Sequence, residues 1–264
     1  MNSAPDEAGL IWIDQPVPYF KYPILSNYPQ LSHAVFTRLG GTSHPPYDGL
    51  NTSYDVGDLP HHVTANLSII KDTLGAKKLL FMKQVHGSNI LVVRAGDESD
   101  RLEAPSGDAI ITDVPGLAVL VKQADCQGVI LFDPEKSVVG IIHCGWRGNV
   151  GNILGKVVAR MRSLFGCVTG DLLAGIGPSL GPCCAEFVDH EVIFPRSFQE
   201  FRVNANHFDL KAISRQQLLN AGLREQNIEI SDICTCCSTS LLYSYRGEGR
   251  TGRFGTVAML ENGG

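Results

Sequence analysis

The sequence predicts an α+β protein with mixed or antiparallel sheets, built as a single domain over residues 1–264. Its strand-like segments follow one another as hairpins, and its helix-like segments come only after groups of strands. A regular alternation of single strands and helices would instead predict a doubly wound parallel sheet. No linker-like stretch divides the sequence, and a chain of 264 residues suits one large domain.

The strand-like segments are short apolar runs bounded by glycine, proline or aspartate. Residues 1–32 are expected to form an irregular or edge-strand lead-in, because prolines recur among them. Four later segments are each predicted to hold two strands joined by a turn or a glycine-containing loop. In chain order the predicted strand segments are 33–43, 78–93, 108–126, 129–143, 171–181 and 241–260.

Three further segments carry apolar residues at the three- and four-residue spacing of an amphipathic helix. The predicted helices are 59–75, 149–166 and 209–222. Gly75 and Gly222 follow the first and the third as stop signals, and Asp209 is the predicted N-cap of the third.

Composition excludes several classes of protein. The net charge is -5 and no block of lysine or arginine occurs, which disfavours nucleic acid and anionic membranes as partners. The apolar runs are too short to span a bilayer. The N-terminus shows no signal-peptide pattern, so the 8 cysteines predict a cytoplasmic protein with reduced thiols. The sequence predicts no particular oligomeric state.

Two good metal ligands bracket the predicted hairpin QADCQGVILFDPEKSVVGIIHCGWRG, residues 123–148. If Pro134 and Glu135 form a two-residue loop, Cys126 lies directly opposite His143. Such a cross-strand pair has Cβ atoms about 4.5–5.5 Å apart. One metal ion could therefore bind both side chains.

His86, in KQVHG, is the candidate third ligand. A set of two histidines and one cysteine leaves one tetrahedral position open, which is typical of catalytic zinc, and it also suits copper. Two other interpretations remain open at this point. Cys126 could be a nucleophile with His143 as its base, or these side chains could simply be buried in the core.

A series of ordered motifs resembles the bacterial YfiH-type family, also called the laccase-domain or multicopper polyphenol oxidoreductase-like family. These motifs are VFTRLGGTS, KQVHG, DAIITDVPGLAVLVKQADCQGVILFD, GIIHCGWRG, GIGPSLGPCCAEF and CTCCSTSLLYSYRGEGRTGR, between residues 35 and 253. The chain departs from the usual family pattern at Gly128, where proline is usual, at Cys144, where alanine is usual, and at Ala185, where an aromatic residue is usual.

The resemblance implies an α/β/β/α sandwich. It also implies a zinc-dependent purine nucleoside phosphorylase with adenosine deaminase and methylthioadenosine phosphorylase activity, whose partners are purine nucleosides and phosphate. The family's metal ligands match His86, Cys126 and His143. A cysteine hydrolase or amidase acting on a peptidoglycan precursor, and a copper-dependent polyphenol oxidase, are the alternatives.

The implied reactions suggest roles for further residues. Arginine binds two phosphate oxygens at once, and Arg38 is the candidate for a direct catalytic part. Asp125 is a possible general acid or base, although alternation with Cys126 in a strand could turn it away. The candidate substrate-binding residues are Asn51, Gln84, Arg147, Arg246 and Arg253.

Five cysteines lie outside this set. Neither the CC pair nor the CTCC run supplies two well-spaced zinc knuckles, so we expect buried or redox-inert thiols rather than a second metal site. These residues are Cys183, Cys184, Cys234, Cys236 and Cys237.

Overall fold

The computed structural model describes residues 9–14, 16–94, 96 and 103–262. The strands are β1 (Ile11–Ile13), β2 (Tyr19–Lys21), β3 (Leu31–Phe36), β4 (Lys78–Met82), β5 (Ile90–Val93), β6 (Glu103–Ala104), β7 (Ala109–Thr112), β8 (Leu117–Gln123), β9 (Gln127–Asp133), β10 (Val138–Cys144), β11 (Leu173–Ile176), β12 (Arg202–Asn204), β13 (His207–Phe208), β14 (Ile228–Ile230) and β15 (Phe254–Leu260). The α-helices are α1 (Pro23–Ser26), α2 (Pro60–Thr73), α3 (Trp146–Val150), α4 (Ile153–Phe165), α5 (His190–Ile193), α6 (Leu210–Asn220) and α7 (Tyr245–Glu248).

Within those ranges, most of the strands form two mixed sheets. The 7-stranded sheet has the order β1-β2-β3-β15-β8-β4-β6, and the 6-stranded sheet has the order β14-β11-β9-β10-β7-β5. Strand β8 pairs antiparallel with β15 and parallel with β4. Similarly, β7 pairs antiparallel with β10 and parallel with β5. The predicted α+β class with mixed sheets is confirmed.

The sheets stack face to face with helices on the two outer faces. Alternate residues of β9 show this arrangement, because Ile130 and Phe132 pack between the sheets with Val121 and Ala258 of the larger sheet. The intervening Leu131 faces the other way. Helices α4 and α6 cover that outer face of the smaller sheet, and α2 covers the outer face of the larger one. The α/β/β/α sandwich implied by the resemblance is therefore confirmed.

The three predicted helices are present, with one difference. Helix α6 begins after Asp209, whose carboxylate accepts a hydrogen bond from the amide of Ala212, as expected of an N-cap. The segment 149–166 is not one helix. Asn152 adopts a left-handed conformation with φ 50° and caps α4, so α3 and α4 are separate.

Several strand predictions needed correction. The segment 78–93 was expected to be strand, turn and strand, but β4 and β5 belong to different sheets and are joined by residues 83–89. Residues 241–244 are not a strand, and they lead instead into α7. The expected lead-in contributes β1, β2 and α1 where it is described, with β1 at the edge of the larger sheet.

The register predicted for the β9–β10 hairpin is wrong by two residues. Asp133 pairs with Val138, so His143 lies opposite Gly128 and Cys126 precedes β9. The loop is longer than expected because the carboxylate of Asp133 accepts hydrogen bonds from the amides of Glu135 and Lys136, and Ser137 adopts a positive φ of 50°. A shift of two residues leaves every side chain on its original face.

Over the described ranges, no helix is both long and apolar enough to cross a membrane.

Candidate metal centre

The segments that carry His86 and Cys126 both pass from the larger sheet to the smaller one. Residues 83–89 leave β4 and enter β5, and residues 124–126 leave β8 and enter β9. Because β4 and β8 are parallel neighbours, their C-terminal ends lie side by side, and both segments leave the larger sheet at the same end. The fold therefore brings these two side chains to one end of the sandwich.

His143 reaches the same end from the smaller sheet. It continues the face of β10 on which Val139 and Ile141 point between the sheets. Since β9 and β10 are antiparallel, the last residues of β10 lie beside the first residues of β9. His143 is 3% exposed, whereas His86 is exposed, so the centre opens to solvent on the His86 side.

Asp108, just before β7, holds both histidines in place. His143 Nδ1 lies 2.8 Å from Asp108 Oδ1. The backbone amides of His86 and Gly87 donate to the two oxygens of the same carboxylate, at 2.9 and 2.7 Å. This carboxylate stabilises the left-handed backbone of His86, whose φ is 57°. We did not predict this role, although Asp108 begins the motif DAIITD.

Asp108 is held in its ionised form, and this decides which nitrogen of His143 carries a proton. Burial raises the pKa of Asp108, but the hydrogen bonds of His143 and Gly87 outweigh it and hold the pKa below the usual value. An ionised carboxylate only accepts hydrogen bonds, so Nδ1 of His143 carries a proton whether the imidazole is neutral or charged. The other nitrogen, Nε2, is then left to face Cys126.

Cys126 and His143 each shift the pKa of the other. Burial raises the pKa of the Cys126 thiol, but the charge and hydrogen bond of His143 lower it to about 6. Burial lowers the pKa of His143, but the Cys126 thiolate and Asp108 raise it to about 9. The pair is therefore a thiolate and an imidazolium around neutral pH.

One ligand atom from each of His86, Cys126 and His143 lies within 4.8 Å of the others. The structure thus brings together the three ligands expected from the sequence, although not by direct strand pairing. Cys126 and His143 are instead diagonal neighbours at the end of the hairpin, still within reach of one another. Two imidazoles and one thiolate form a donor set suited to a metal ion.

The centre lies in the wall of a cavity of about 470 Å³. That volume is within the range of small-molecule sites, about 300–1,000 Å³. Trp146, Phe187 and Tyr245 contribute aromatic side chains to its walls.

Comparison with known proteins places the chain in a family. Residues 32–261 match the family described as multi-copper polyphenol oxidoreductase laccase. The chain belongs to this family.

A relative from Xylella fastidiosa, named purine nucleoside phosphorylase, is 33% identical, with 83% of this chain and 88% of the relative covered. Purine nucleoside phosphorylase YlmD of Geobacillus stearothermophilus is 32% identical, with 82% and 85% covered. The crystal structure of YfiH, a hypothetical protein of Bacillus licheniformis, is similar with a TM-score of 0.86 at 30% identity, with 95% of this chain and 99% of that chain covered.

In this laccase-family chain, Asp125 lies in the cavity wall but not in a strand. Its φ is 87°, in the segment between β8 and β9. Its carboxylate accepts hydrogen bonds from Thr235 Oγ1 at 2.7 Å, Ser244 Oγ at 2.6 Å and the amide of Arg246 at 2.6 Å. These three contacts fix the backbone next to Cys126, so Asp125 is placed to position that ligand.

Four of the candidate substrate-binding residues line the cavity, but some of their polar atoms are engaged. Gln84 bonds through its amide to the backbone N and O of Lys122. Arg147 lies over the ring of Trp146, 4.3 Å from its centroid. The other two cavity residues are Arg246 and Arg253.

Arg246 and Arg253 are anchored by carbonyl oxygens. Arg246 donates to the carbonyls of Cys184 and Glu186. Nη1 of Arg253 donates to the carbonyls of Thr251 and Gly252. Both guanidinium groups are thereby held in defined positions in the cavity wall.

Arg38 and Asn51 lie outside this cavity. Arg38 forms ion pairs with Asp48 and Glu248 in a separate depression, which does not suit the phosphate role we expected of it. The Asn51 side chain accepts a hydrogen bond from the amide of Arg253 and donates to Asp58. It also exchanges hydrogen bonds with the backbone of Ser53, so Asn51 can position two residues of the cavity wall, Ser53 and Arg253.

Of the three departures from the usual family pattern, Cys144 lines the cavity and Gly128 lies opposite His143. A Cβ atom at Gly128 would come within 2.8 Å of Thr256 Cβ, so the two sheets approach closely there. Cys144 is fully buried against α4. Ala185 is also fully buried, and its carbonyl accepts a hydrogen bond from the amide of Phe208.

A second group of potential metal ligands lies among the cysteines for which a metal site was not favoured. The sulfur atoms of Cys183, Cys184, Cys234 and Cys237 lie within 4.8 Å of one another. From the sequence we expected buried or redox-inert thiols, because neither the CC pair nor the CTCC run supplies two well-spaced zinc knuckles, although Cys234 and Cys237 have the spacing Cys-x₂-Cys.

Proposed function

We propose that the protein is a zinc-dependent purine nucleoside phosphorylase that also deaminates adenosine and phosphorolyses methylthioadenosine. The observation that carries this proposal is the convergence of His86, Cys126 and His143 beside a cavity of about 470 Å³. The relatives named purine nucleoside phosphorylase support the substrate class.

The donor set fits zinc. Three protein ligands leave a fourth position open to water or substrate. When bound there, zinc would act as a Lewis acid and lower the pKa of a water molecule. Asp108 contributes by fixing the tautomer of His143, and Cys126 contributes a thiolate.

The cavity walls offer groups for both substrates. A purine ring can stack on aromatic side chains such as Trp146 and Tyr245. We assign phosphate to Arg253, whose guanidinium lies close enough to Cys126 to interact with its charge. Arg147, held over Trp146, is the second arginine assigned to the substrate.

In phosphorolysis, a phosphate oxygen forms a bond to C1′ of the ribose while the bond from C1′ to the purine nitrogen breaks. The purine leaves with the electron pair and takes up a proton. Arg253 would hold the phosphate in the orientation that this displacement requires. In deamination, water adds to C6 of adenosine and ammonia leaves.

The test is a product analysis with purified protein of known metal content. Adenosine, inosine, guanosine and methylthioadenosine are incubated with and without phosphate. We expect hypoxanthine from inosine only when phosphate is present, and inosine from adenosine in its absence. His86→Ala should lose both the metal and the two activities, whereas His61→Ala, which removes an exposed imidazole on α2, should retain them. Full turnover by metal-free protein would overturn the proposal.

One observation favours a second candidate, a cysteine hydrolase or amidase acting on a peptidoglycan precursor. His143 lies between Cys126 and Asp108, as a base lies between a nucleophile and its orienting carboxylate. Such an enzyme would survive chelation and be inactivated by iodoacetamide. The zinc enzyme would be inactivated by chelation and reactivated by zinc.

Copper-dependent polyphenol oxidation, named in the family description, has weaker support. Laccase chemistry uses several copper ions held by many histidines, whereas two histidines converge with Cys126 in the part of the chain that the structure describes. Measurement of copper content and phenol oxidation on the same protein would test it.

A further inference from the structure

We propose that Cys183, Cys184, Cys234 and Cys237 bind a second zinc ion, which has a structural role. This site is separate from the centre at His86, Cys126 and His143. Its test therefore does not depend on the nucleoside activity.

The sulfur positions match a tetrahedral ion. With zinc–sulfur bonds of about 2.3 Å, the sulfur atoms of a regular tetrahedron lie about 3.8 Å apart. Cys237 Sγ lies 3.7 Å from Cys183 Sγ and 3.6 Å from Cys184 Sγ. All four sulfur atoms are within 4.8 Å of one another. One ion at their centre would thus need only small adjustments.

The four cysteines lie at turns, and two of them have a spacing that is common in zinc-binding sites. Cys183 and Cys184 lie in one turn, and Cys234 and Cys237 border another, with the Cys-x₂-Cys spacing of structural zinc sites. The amide of Gly181 donates to Cys234 Sγ at 3.3 Å, a contact that stabilises a thiolate. A side chain at Gly181 would crowd the cluster, because its Cβ would lie 3.0 Å from Cys234 Cβ.

Burial in the hydrophobic core does not explain why these four cysteines lie together. Cys183 and Cys237 are exposed, so their thiols are not there to fill the hydrophobic core. Their exposure also gives a metal ion a path into the site. One positive charge that favours thiolates is close by, since the ammonium group of Lys211 donates to the carbonyls of Ser231 and Ile233, beside Cys234.

The ion would connect two loops that form part of the cavity wall. Thr235, between two of the ligands, donates to Asp125, the residue before Cys126. Arg246 donates to the carbonyl of Cys184 and also lines the cavity. A structural zinc would therefore hold together the wall on which the catalytic centre depends.

The first experiment measures zinc per chain by elemental analysis and native mass spectrometry. We expect two zinc ions in the wild type, one in Cys237→Ser, one in His86→Ala and none in the double variant. Cys236→Ser is the matched control, because Cys236 lies between two ligands but outside the cluster, and it should retain both. One ion in the wild type that His86→Ala removes, or loss of an ion from Cys236→Ser, would overturn the assignment.

A second experiment uses the unaltered protein, in case the cysteine variants do not fold. Crystals are measured at the zinc absorption edge, where we expect anomalous density between the four sulfur atoms as well as at His86. Density at the His86 centre alone would contradict the proposal. So would a disulfide between Cys237 and either Cys183 or Cys184 in crystals grown with a reducing agent.

Discussion

Asp108 Oδ1 accepts a hydrogen bond from His143 Nδ1 at 2.8 Å and another from the backbone amide of His86 at 2.9 Å. One fully buried carboxylate therefore orients one predicted ligand by its side chain and the other by its backbone. Asp108 therefore links the two histidines, whose rings also meet edge to face with centroids 4.8 Å apart.

Replacing Asp108 by asparagine should weaken metal binding while preserving the size of the side chain. Loss of the carboxylate that orients a ligating histidine typically costs about 10- to 100-fold in affinity. The measurement is a competition titration with a zinc chelator. Asp113→Asn, which alters a carboxylate just beyond the other end of β7, should leave the affinity unchanged. An unchanged affinity in Asp108→Asn would show that the carboxylate does not support the ligands.

Gly145→Ala should displace the cysteine ligand. A Cβ atom at Gly145 would lie 2.7 Å from Cys126 Sγ, which is closer than such atoms approach in proteins. Overpacking typically costs about 1–3 kcal/mol, or about 5- to 150-fold if it falls on the metal-bound state. Gly87→Ala is the matched control, because its Cβ would meet atoms no closer than 3.6 Å. Equal affinity in the two variants would contradict this prediction.

Metal binding should strengthen as the pH rises. The pKa of Cys126 is lowered to about 6 and that of His143 is raised to about 9, so apoprotein between these values holds a thiolate and a protonated imidazole. The metal must displace the proton of His143, so affinity should rise by about tenfold per pH unit in this window. Below pH 6 the Cys126 thiol must also lose a proton, and the slope should steepen. Titrations at several pH values that show a flat profile would rule out this charge pair.

His33 should make the fold sensitive to acid. This residue of β3 is 1% exposed, and its Nε2 accepts a hydrogen bond from the amide of Tyr22 at 2.9 Å. Burial lowers the pKa of His33 from 6.5 to about 3. The unfolded chain therefore binds a proton that the folded chain does not, and stability present above pH 6.5 is lost as the pH falls towards 3.

The His33 contribution amounts to about 1.4 kcal/mol per pH unit, or about 2 kcal/mol at pH 5. Urea unfolding at pH 7 and pH 5 measures it. His33→Gln can keep an acceptor for the Tyr22 amide but does not titrate, so its stability should change less between the two pH values. His61→Gln, at an exposed histidine, should behave as the wild type does. Equal acid sensitivity in His33→Gln would disprove the role of His33.

The sequence by itself determined the elements that local pattern specifies. The apolar spacing of α2 and the Asp209 cap of α6 appear in the structure as predicted, because both depend on residues within a few positions of one another. The residue types of His86, Cys126 and His143 were sufficient to suggest a metal site. Their chemistry does not depend on the route by which the chain brings them together.

Only the tertiary structure decided how those side chains meet. The Asp133 turn adds two residues to the hairpin loop and places His143 opposite Gly128, and the segment carrying His86 crosses between sheets. The convergence of Cys183 with Cys237 depends in the same way on two loops packing against one another. Contacts between residues far apart in sequence follow from the order of strands in the sheets and from the packing of loops. The spacing of residues along the chain specifies neither of these.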